Sequence, residues 1–364
     1  MIKLKCPVFS PGQAVSVWLD WGLELAQCTN DLALVLEQPY RIAALPVLCN
    51  EPTEFSFDPV AQHIDYSQFD LVILTDIEYR PIKIIKDWIT RNNIKKYVLA
   101  VGGIGVNDQL DDYTVYRPHW MYNLLRLNQY SDSSASSKPF LFEALLGARR
   151  PHRDYVMLSL QQSKLLSKSI VTYRNIFNAN VVDNFSQEFA LEFPDIQLAY
   201  PYVSEHLNNN WEVQSNLDLT ISSKIPIEIY KNTWYSIVCE TLGVGHDMFF
   251  LSEKTAKALF SKRMFISFSA GYFLKNLRLL GFETFSDVID ESYDSILFDQ
   301  LRFKTAFQQV KYLSTQDPIL IHQKIAPILE HNHHQTLILR QATQQRMAEL
   351  LRDSIPSQYI TDQS

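Results

Sequence analysis

The sequence predicts an α/β protein of two Rossmann-like domains facing a cleft, with a helical C-terminal segment. Three observations lead there. Short apolar runs alternate with helix-spaced stretches from about residue 40 onward, a Ser-rich stretch interrupts that rhythm at residue 131, and the rhythm then restarts. Continuous apolar strands imply a parallel sheet covered on both faces, because a strand wetted on one side alternates polar with apolar residues.

In the first half, Tyr40 to Leu48 reads as a buried strand that ends at Cys49-Asn50-Glu51-Pro52. Phe69 to Asp76 is a second strand, closed by a carboxylate. Ile82 to Thr90 has helical spacing, with Ile84, Ile85 and Trp88 on one side, and Lys96 to Val101 is a third strand that ends at Gly102-Gly103. No helix pattern follows Gly102-Gly103-Ile104-Gly105 directly, so that turn is not read as a dinucleotide fingerprint. Residues 1–130 are therefore expected to form one Rossmann-like domain. The stretch Ser131-Asp132-Ser133-Ser134-Ala135-Ser136-Ser137 is small, polar and aperiodic, and marks a linker over residues 131–138.

The second half opens with a strand from Pro139 to Leu146 that ends at Gly147. A basic patch follows, Arg149-Arg150-Pro151-His152-Arg153, then a helix from about His152 to Leu166 and a strand from Ser169 to Tyr173. Further strands are expected at Tyr235–Cys239 and at Arg263–Phe268. Between them Ser252 to Phe260 reads as a helix, with Ser252 in the N-cap position that its short hydroxyl side chain favours. From Ser286 to about Arg352 the pattern is helical. The second domain is thus placed at residues 139–310 and the C-terminal helices at 311–364.

Composition narrows the function classes. A length of 364 residues suits two domains, and 46% apolar with 20% charged residues describes a folded chain. The formal charge of −7 argues against nucleic acid as the main partner, since phosphate neutralisation needs a basic stripe. The short arginine patch suits an anionic small molecule instead. Cys6, Cys28, Cys49 and Cys239 show no close pairing and no CxxC, the pattern of free thiols in a reducing compartment. The N-terminus lacks the pattern of a signal peptide, and no run of 18 apolar residues offers a membrane span. A cytoplasmic location is expected.

The chemistry concentrates around Glu253-Lys254. An N-cap at Ser252 would leave backbone N–H groups and the helix dipole to meet an anion. Glu253 is suited to accept hydrogen bonds from ribose hydroxyls while Lys254 meets phosphate. Thirteen residues upstream of Glu253, Glu240 closes the apolar run Tyr235-Ser236-Ile237-Val238-Cys239.

Taken together, Tyr235 to Thr241 and Phe250-Leu251-Ser252-Glu253-Lys254-Thr255 resemble the donor-binding signature of the α1,3-fucosyltransferases. Thr241 stands where that family has Asn, and Phe250 where it has Tyr. The stretch from Phe140 to Arg153 is similar to the family's strand, Arg-bearing loop and helix. The resemblance implies a two-Rossmann GT-B glycosyltransferase with a donor half at 139–310 and an acceptor half at 1–130. It implies that Glu253 and Lys254 contact a nucleotide-diphosphate sugar, possibly GDP-linked. Glu240 would lie beside the fucose or ribose, Phe250 would take the nucleotide-contacting position, and Arg149, Arg150 or Arg153 would meet the diphosphate.

An inverting transfer also needs a carboxylate base near the acceptor hydroxyl. Glu51, held by Pro52, and Asp76 with Glu78, at strand ends of the first half, are the candidates. The acceptor would be a glycan or another hydroxyl-bearing molecule. Tyr116-Arg117-Pro118-His119-Trp120 would stack on an acceptor sugar or pack at a domain interface. His331, His333 and His334 read as a solvated helix, because their spacing does not place all three on one face. No metal motif stands out, so metal-independent transfer with no cofactor is expected. The competing readings are a non-catalytic α/β interaction protein that retains the fold, and a nucleotide-sugar epimerase, against which the missing dinucleotide fingerprint counts.

Overall fold

The computed structural model describes residues 2–10, 28–47, 64–76, 81–105, 108–118, 138–148, 150–174 and 225–362. The chain divides into two compact units, residues 1–119 with 338–364, and residues 120–337. Each is an α/β unit built on its own parallel sheet.

The first unit begins with β1 (Ile2–Leu4), β2 (Val8–Phe9), β3 (Cys28–Thr29) and a short helix α1 (Leu32–Leu36). It continues with β4 (Ile42–Val47), β5 (Leu71–Asp76), α2 (Ile82–Arg91), β6 (Tyr97–Val101), a short extended piece β7 (Gly103–Gly105) and β8 (Thr114–Tyr116). Six strands form one sheet in the order β3-β2-β4-β5-β6-β8, and every neighbouring pair is parallel. The expected strands at 40–48, 69–76 and 96–101 and the helix at 82–90 are all present, within a few residues. Ile42 to Leu45 and Leu71 to Leu74 are fully buried, as central strands of a sheet covered on both faces must be. The helix α2 buries Ile82, Ile85, Trp88 and Ile89, a stripe at helical spacing.

The second unit holds β9 (Phe140–Ala148), α3 (Pro151–Gln162), β10 (Ser169–Arg174), α4 (Ile227–Asn232), β11 (Thr233–Cys239), a short β12 (Met248–Phe250), α5 (Glu253–Phe260) and β13 (Met264–Phe268). Then come α6 (Phe273–Leu279), α7 (Asp299–Leu313) and α8 (Pro318–Ser354). The sheet runs β10-β9-β11-β13, again parallel throughout. Helix α3 stops sooner than expected. Lys164 adopts φ +57° after the C-cap Ser163, and a left-handed residue ends an α-helix.

The C-terminal region does not stand apart as a helical segment from residue 311. Helix α8 crosses the division at residues 337 and 338, and its last turns join the first unit. There Met347, Leu350, Leu351 and Ile355 pack into the same core as Val8, Ile42, Ile73, Val98 and Ala100. The chain then closes with β14 (Ile360–Asp362), antiparallel to β1. The acidic stretch 287–294, within the region whose pattern reads as helical, is largely structural. Glu291 accepts from Phe285 N at 2.6 Å and Thr284 Oγ1 at 2.7 Å, and Asp294 accepts the first N–H groups of α6 from Leu274 and Lys275 at 2.7 and 2.9 Å.

Because Leu351 is wholly buried in the first unit's core, Leu351→Ala should destabilise that unit by about 2–5 kcal/mol, the range for such truncations. Denaturant titration of the full chain would check this, and a loss below about 1 kcal/mol would remove α8 from the core.

Candidate anion-binding site at the strand ends

In the second sheet the chain moves from β9 outward to β10, then returns to the other side of β9 for β11. Such a reversal opens a crevice at the carboxyl ends of the two strands it separates. Here those ends are Gly147-Ala148 on β9 and Cys239-Glu240-Thr241 after β11. The end of β9 is bulged: Thr172 pairs with Leu145 and Tyr173 with Gly147, which leaves Leu146 over. Gly147 sits at φ +61°, a conformation that costs a side chain strain and glycine nothing. The chain then reaches Arg150, the N-cap of α3, with Pro151 in the first helical position.

Three cations from two turns meet at this point. The Arg150 guanidinium donates to Thr241 O. Lys254 Nζ donates to Thr241 Oγ1 at 3.2 Å and to Glu253 Oε1 at 2.6 Å. Arg153 is buried, and burial together with the Arg150 charge presses its pKa down. His152 stands among them, 1% exposed, with Nε2 donating to Glu240 O at 2.8 Å. Its pKa is held well below the usual imidazole range by burial first, then by Arg153, Arg150 and Lys254. The ring is therefore neutral, with Nδ1 bare. A β-carbon at Gly243 would lie 2.1 Å from that Nδ1, so the loop after β11 passes this close to the ring only as glycine.

Helix α5 has the N-cap the sequence predicted: Ser252 Oγ accepts from Lys254 N at 3.2 Å. Its N-terminus is nevertheless not open to an anion. Glu240 Oε1 accepts from Thr255 N at 3.3 Å and from the Thr255 hydroxyl, while Oε2 accepts from Thr241 N at 3.0 Å. Glu240 is 0% exposed, so in this structure its carboxylate serves the helix terminus rather than a sugar. Phe250 is 2% exposed, a core ring with no face presented to a nucleotide. Within the resembling motif Glu240 and Phe250 pack inward, while Glu253 and Lys254, like Arg150, keep partial exposure. Burial works against ionising Glu253, but Lys254, by charge and hydrogen bond, and Lys257 hold its carboxyl below the usual range. Burial lowers Lys257 itself to about 8.

Of the other expected site residues, Glu51, Glu78 and Arg149 lie outside the described residues, as does the Ser-rich linker 131–137. Asp76 closes β5 as predicted but is only 1% exposed. Arg117 is buried, while His119 and Trp120 lie outside the described residues. His331 and His333 face backbone carbonyls of Gly281 and Phe260 at 2.8 and 2.6 Å.

Sequence reasoning missed Asp299 and Arg302. Arg302 is buried and donates to five carbonyls, among them Ser269 at 3.0 Å and Gly243 and Gly245 at 3.4 Å each. Asp299 accepts from Gly245 N at 3.1 Å through both oxygens and pairs with Arg302. Nothing local signalled this, since Gly243 and Gly245 lie more than fifty residues upstream. A separate groove of about 930 Å³ between α3 and α7 is lined by Tyr155, Phe298, Leu301, Lys304, Phe307 and Lys311. It gathers none of the three converging cations.

No family model matches the chain, and no curated protein sequence matches it. A solved structure, T4 phage BGT in complex with UDP and Mn2+, is similar at 10% identity and a TM-score of 0.41, over 97% of this chain and 99% of that one. Likeness at that level carries no functional weight. Among the described residues, no helix is long and apolar enough to cross a membrane, and no three His, Cys, Asp or Glu side chains gather as a metal site.

The neutral His152 gives stability a definite pH dependence. Its folded pKa is depressed, so the unfolded chain binds the extra proton, and stability present above about pH 6.5 is lost as pH falls. Wild type should lose up to about 1.4 kcal/mol per pH unit below that point from this group. His152→Gln, which keeps a donor for Glu240 O, should show a shallower decline in denaturant titrations at pH 7, 6 and 5. Equal slopes would mean that the imidazole is not held neutral.

Proposed function

We propose that the protein binds a nucleotide-diphosphate sugar at the carboxyl ends of β9 and β11 and transfers the sugar to an acceptor hydroxyl. One observation carries the reading: Arg150 and Lys254, from two different turns, both donate to Thr241 at the reversal point of a parallel sheet, with Arg153 buried nearby. Cations held close together in a partly desolvated crevice repel one another, and a diphosphate relieves that repulsion. Glu253, already bonded to Lys254, offers carboxylate oxygens to ribose hydroxyls once phosphate draws the lysine away.

In the transfer, the acceptor oxygen bonds to the anomeric carbon as the bond from that carbon to the diphosphate oxygen breaks. The electron pair leaves with the nucleoside diphosphate, whose charge the cations stabilise, and the acceptor proton passes to a base. Glu51 and Asp76 remain the proposed bases for an inverting, metal-independent reaction. The motif around Glu253-Lys254 makes GDP-fucose the first donor to test, followed by UDP-sugars. The burial of Asp76 favours a second reading, a sugar-nucleotide-binding α/β protein without turnover.

A thermal-shift panel of guanosine, uridine, cytidine and adenosine diphosphates, with and without their sugars, tests the binding step. A ligand at a hundred times its Kd should stabilise the fold by about 2.7 kcal/mol. Lys254→Ala and Arg150→Ala should each weaken that ligand about tenfold or more, the cost of losing a charged hydrogen bond. The absence of any shift across the panel would refute the site. Donor hydrolysis by wild type separates the enzyme from the binding protein.

A further inference from the structure

We propose that Asp299 and Arg302, in the first turn of α7, are positioning residues for the anion site. They set the shape of the loop from Thr241 to Gly245 without touching the ligand. This inference rests on the anion-site reading above and adds a part to it.

The loop after β11 forms one wall of the site. Thr241 supplies the carbonyl that holds Arg150 and the hydroxyl that holds Lys254, and Gly243 packs on the His152 ring. A segment with glycine at 243 and 245 has little conformational preference of its own. Its shape is imposed from outside. Arg302 collects the Gly243 and Gly245 carbonyls, and Asp299 takes the Gly245 N–H. Two further backbone bonds complete the hold, Ala270 N to Leu242 O at 3.0 Å and Gly271 N to Gly245 O at 2.8 Å.

The chemistry of the pair separates positioning from direct binding. Arg302 is buried and spends its guanidinium on carbonyls and on Asp299, so the two charges cancel at short range. Loss of the pair should therefore alter the wall's geometry more than the site's field. A residue that orients a binding group in this way commonly controls affinity ten- to a hundredfold, by about the same reasoning as the outer shell of a metal site.

The test uses the full chain with GDP and UDP as probes. Binding is measured by titration calorimetry for wild type, Asp299→Asn and Arg302→Lys, with Leu351→Ala as a destabilised control in the other unit. Hydrogen exchange is followed on peptides covering residues 241–248. Both loop variants should bind the preferred diphosphate at least about tenfold more weakly, with faster exchange in that peptide and the salt dependence of Kd unchanged. The control should bind as wild type does. If the variants bind as tightly as wild type, the positioning role falls and the anion site stands. A flattened salt dependence would also overturn it, because that is the signature of a lost direct contact. If wild type binds neither diphosphate, the anion-site reading fails and the positioning role fails with it.

Discussion

The arrangement of the second unit depends on a carboxylate that no ligand can reach. Glu240 is fully buried at the end of β11, where an ionised group without partners would cost several kcal/mol. Its oxygens are instead occupied by Thr241 N, Thr255 N and the Thr255 hydroxyl, and it faces the positive end of α5. That set of bonds fuses a strand end to a helix start. Lys254 belongs to the same first turn, so the reach of its ammonium to Thr241 is fixed by an acid fifteen positions before Thr255. The helix terminus binds an anion, but the anion is the protein's own.

The consequence is a change in where external negative charge is welcome. With α5 occupied by Glu240, the described cations bonded to Thr241 are Lys254 and Arg150, the N-cap of α3. Arg150 is held by a carbonyl rather than by a carboxylate, which orients the guanidinium without neutralising it. Arg153 tolerates burial beside it at some cost in its own ionisation. A neutral His152 between them adds bulk and a hydrogen bond but no further charge. Under the proposed function these groups would meet the charge of a ligand without rearranging, which is the condition for electrostatic stabilisation without reorganisation.

Much of this was legible in the sequence where the information is local. Continuous apolar runs gave β4, β5, β6, β9, β11 and β13 to within a few residues, and a hydroxyl before a charged helix start gave the Ser252 cap. The grouping of Arg149, Arg150 and Arg153 with Glu253 and Lys254 came from the family resemblance, and it enters the proposed function as an expectation. What could not be read is set by contacts across long separations. The inward packing of Phe250 and Glu240 depends on which residue each strand end meets, and the hold of Arg302 on Gly243 spans 59 positions. The two-residue strand β2 and the three-residue strand β8 were missed for a related reason, since they are too short to carry a periodic signal. Helix α8 runs through the division at residues 337 and 338 as a single regular pattern, which periodicity alone does not mark.

The two sheets share a strand-order reversal and differ in what they place at it. In the first unit, β2 and β4 flank the reversal, where Ser10 follows β2 with a buried hydroxyl that has no hydrogen-bond partner among the described residues, and Asp76 ends the next strand, β5. In the second, the equivalent positions lead to arginines and a lysine. Fold therefore fixes where chemistry can sit, and the residues at the strand ends decide its sign. Glycosyl transfer asks for both signs, positive charge for the leaving diphosphate and a carboxylate for the attacking hydroxyl. Arg150 and Lys254 stand at the end of one sheet and Asp76 at the end of the other, so in the proposed function diphosphate binding does not depend on the base. Under the proposed function, binding and turnover are therefore separable, and the proposed donor site can be judged before any acceptor is known.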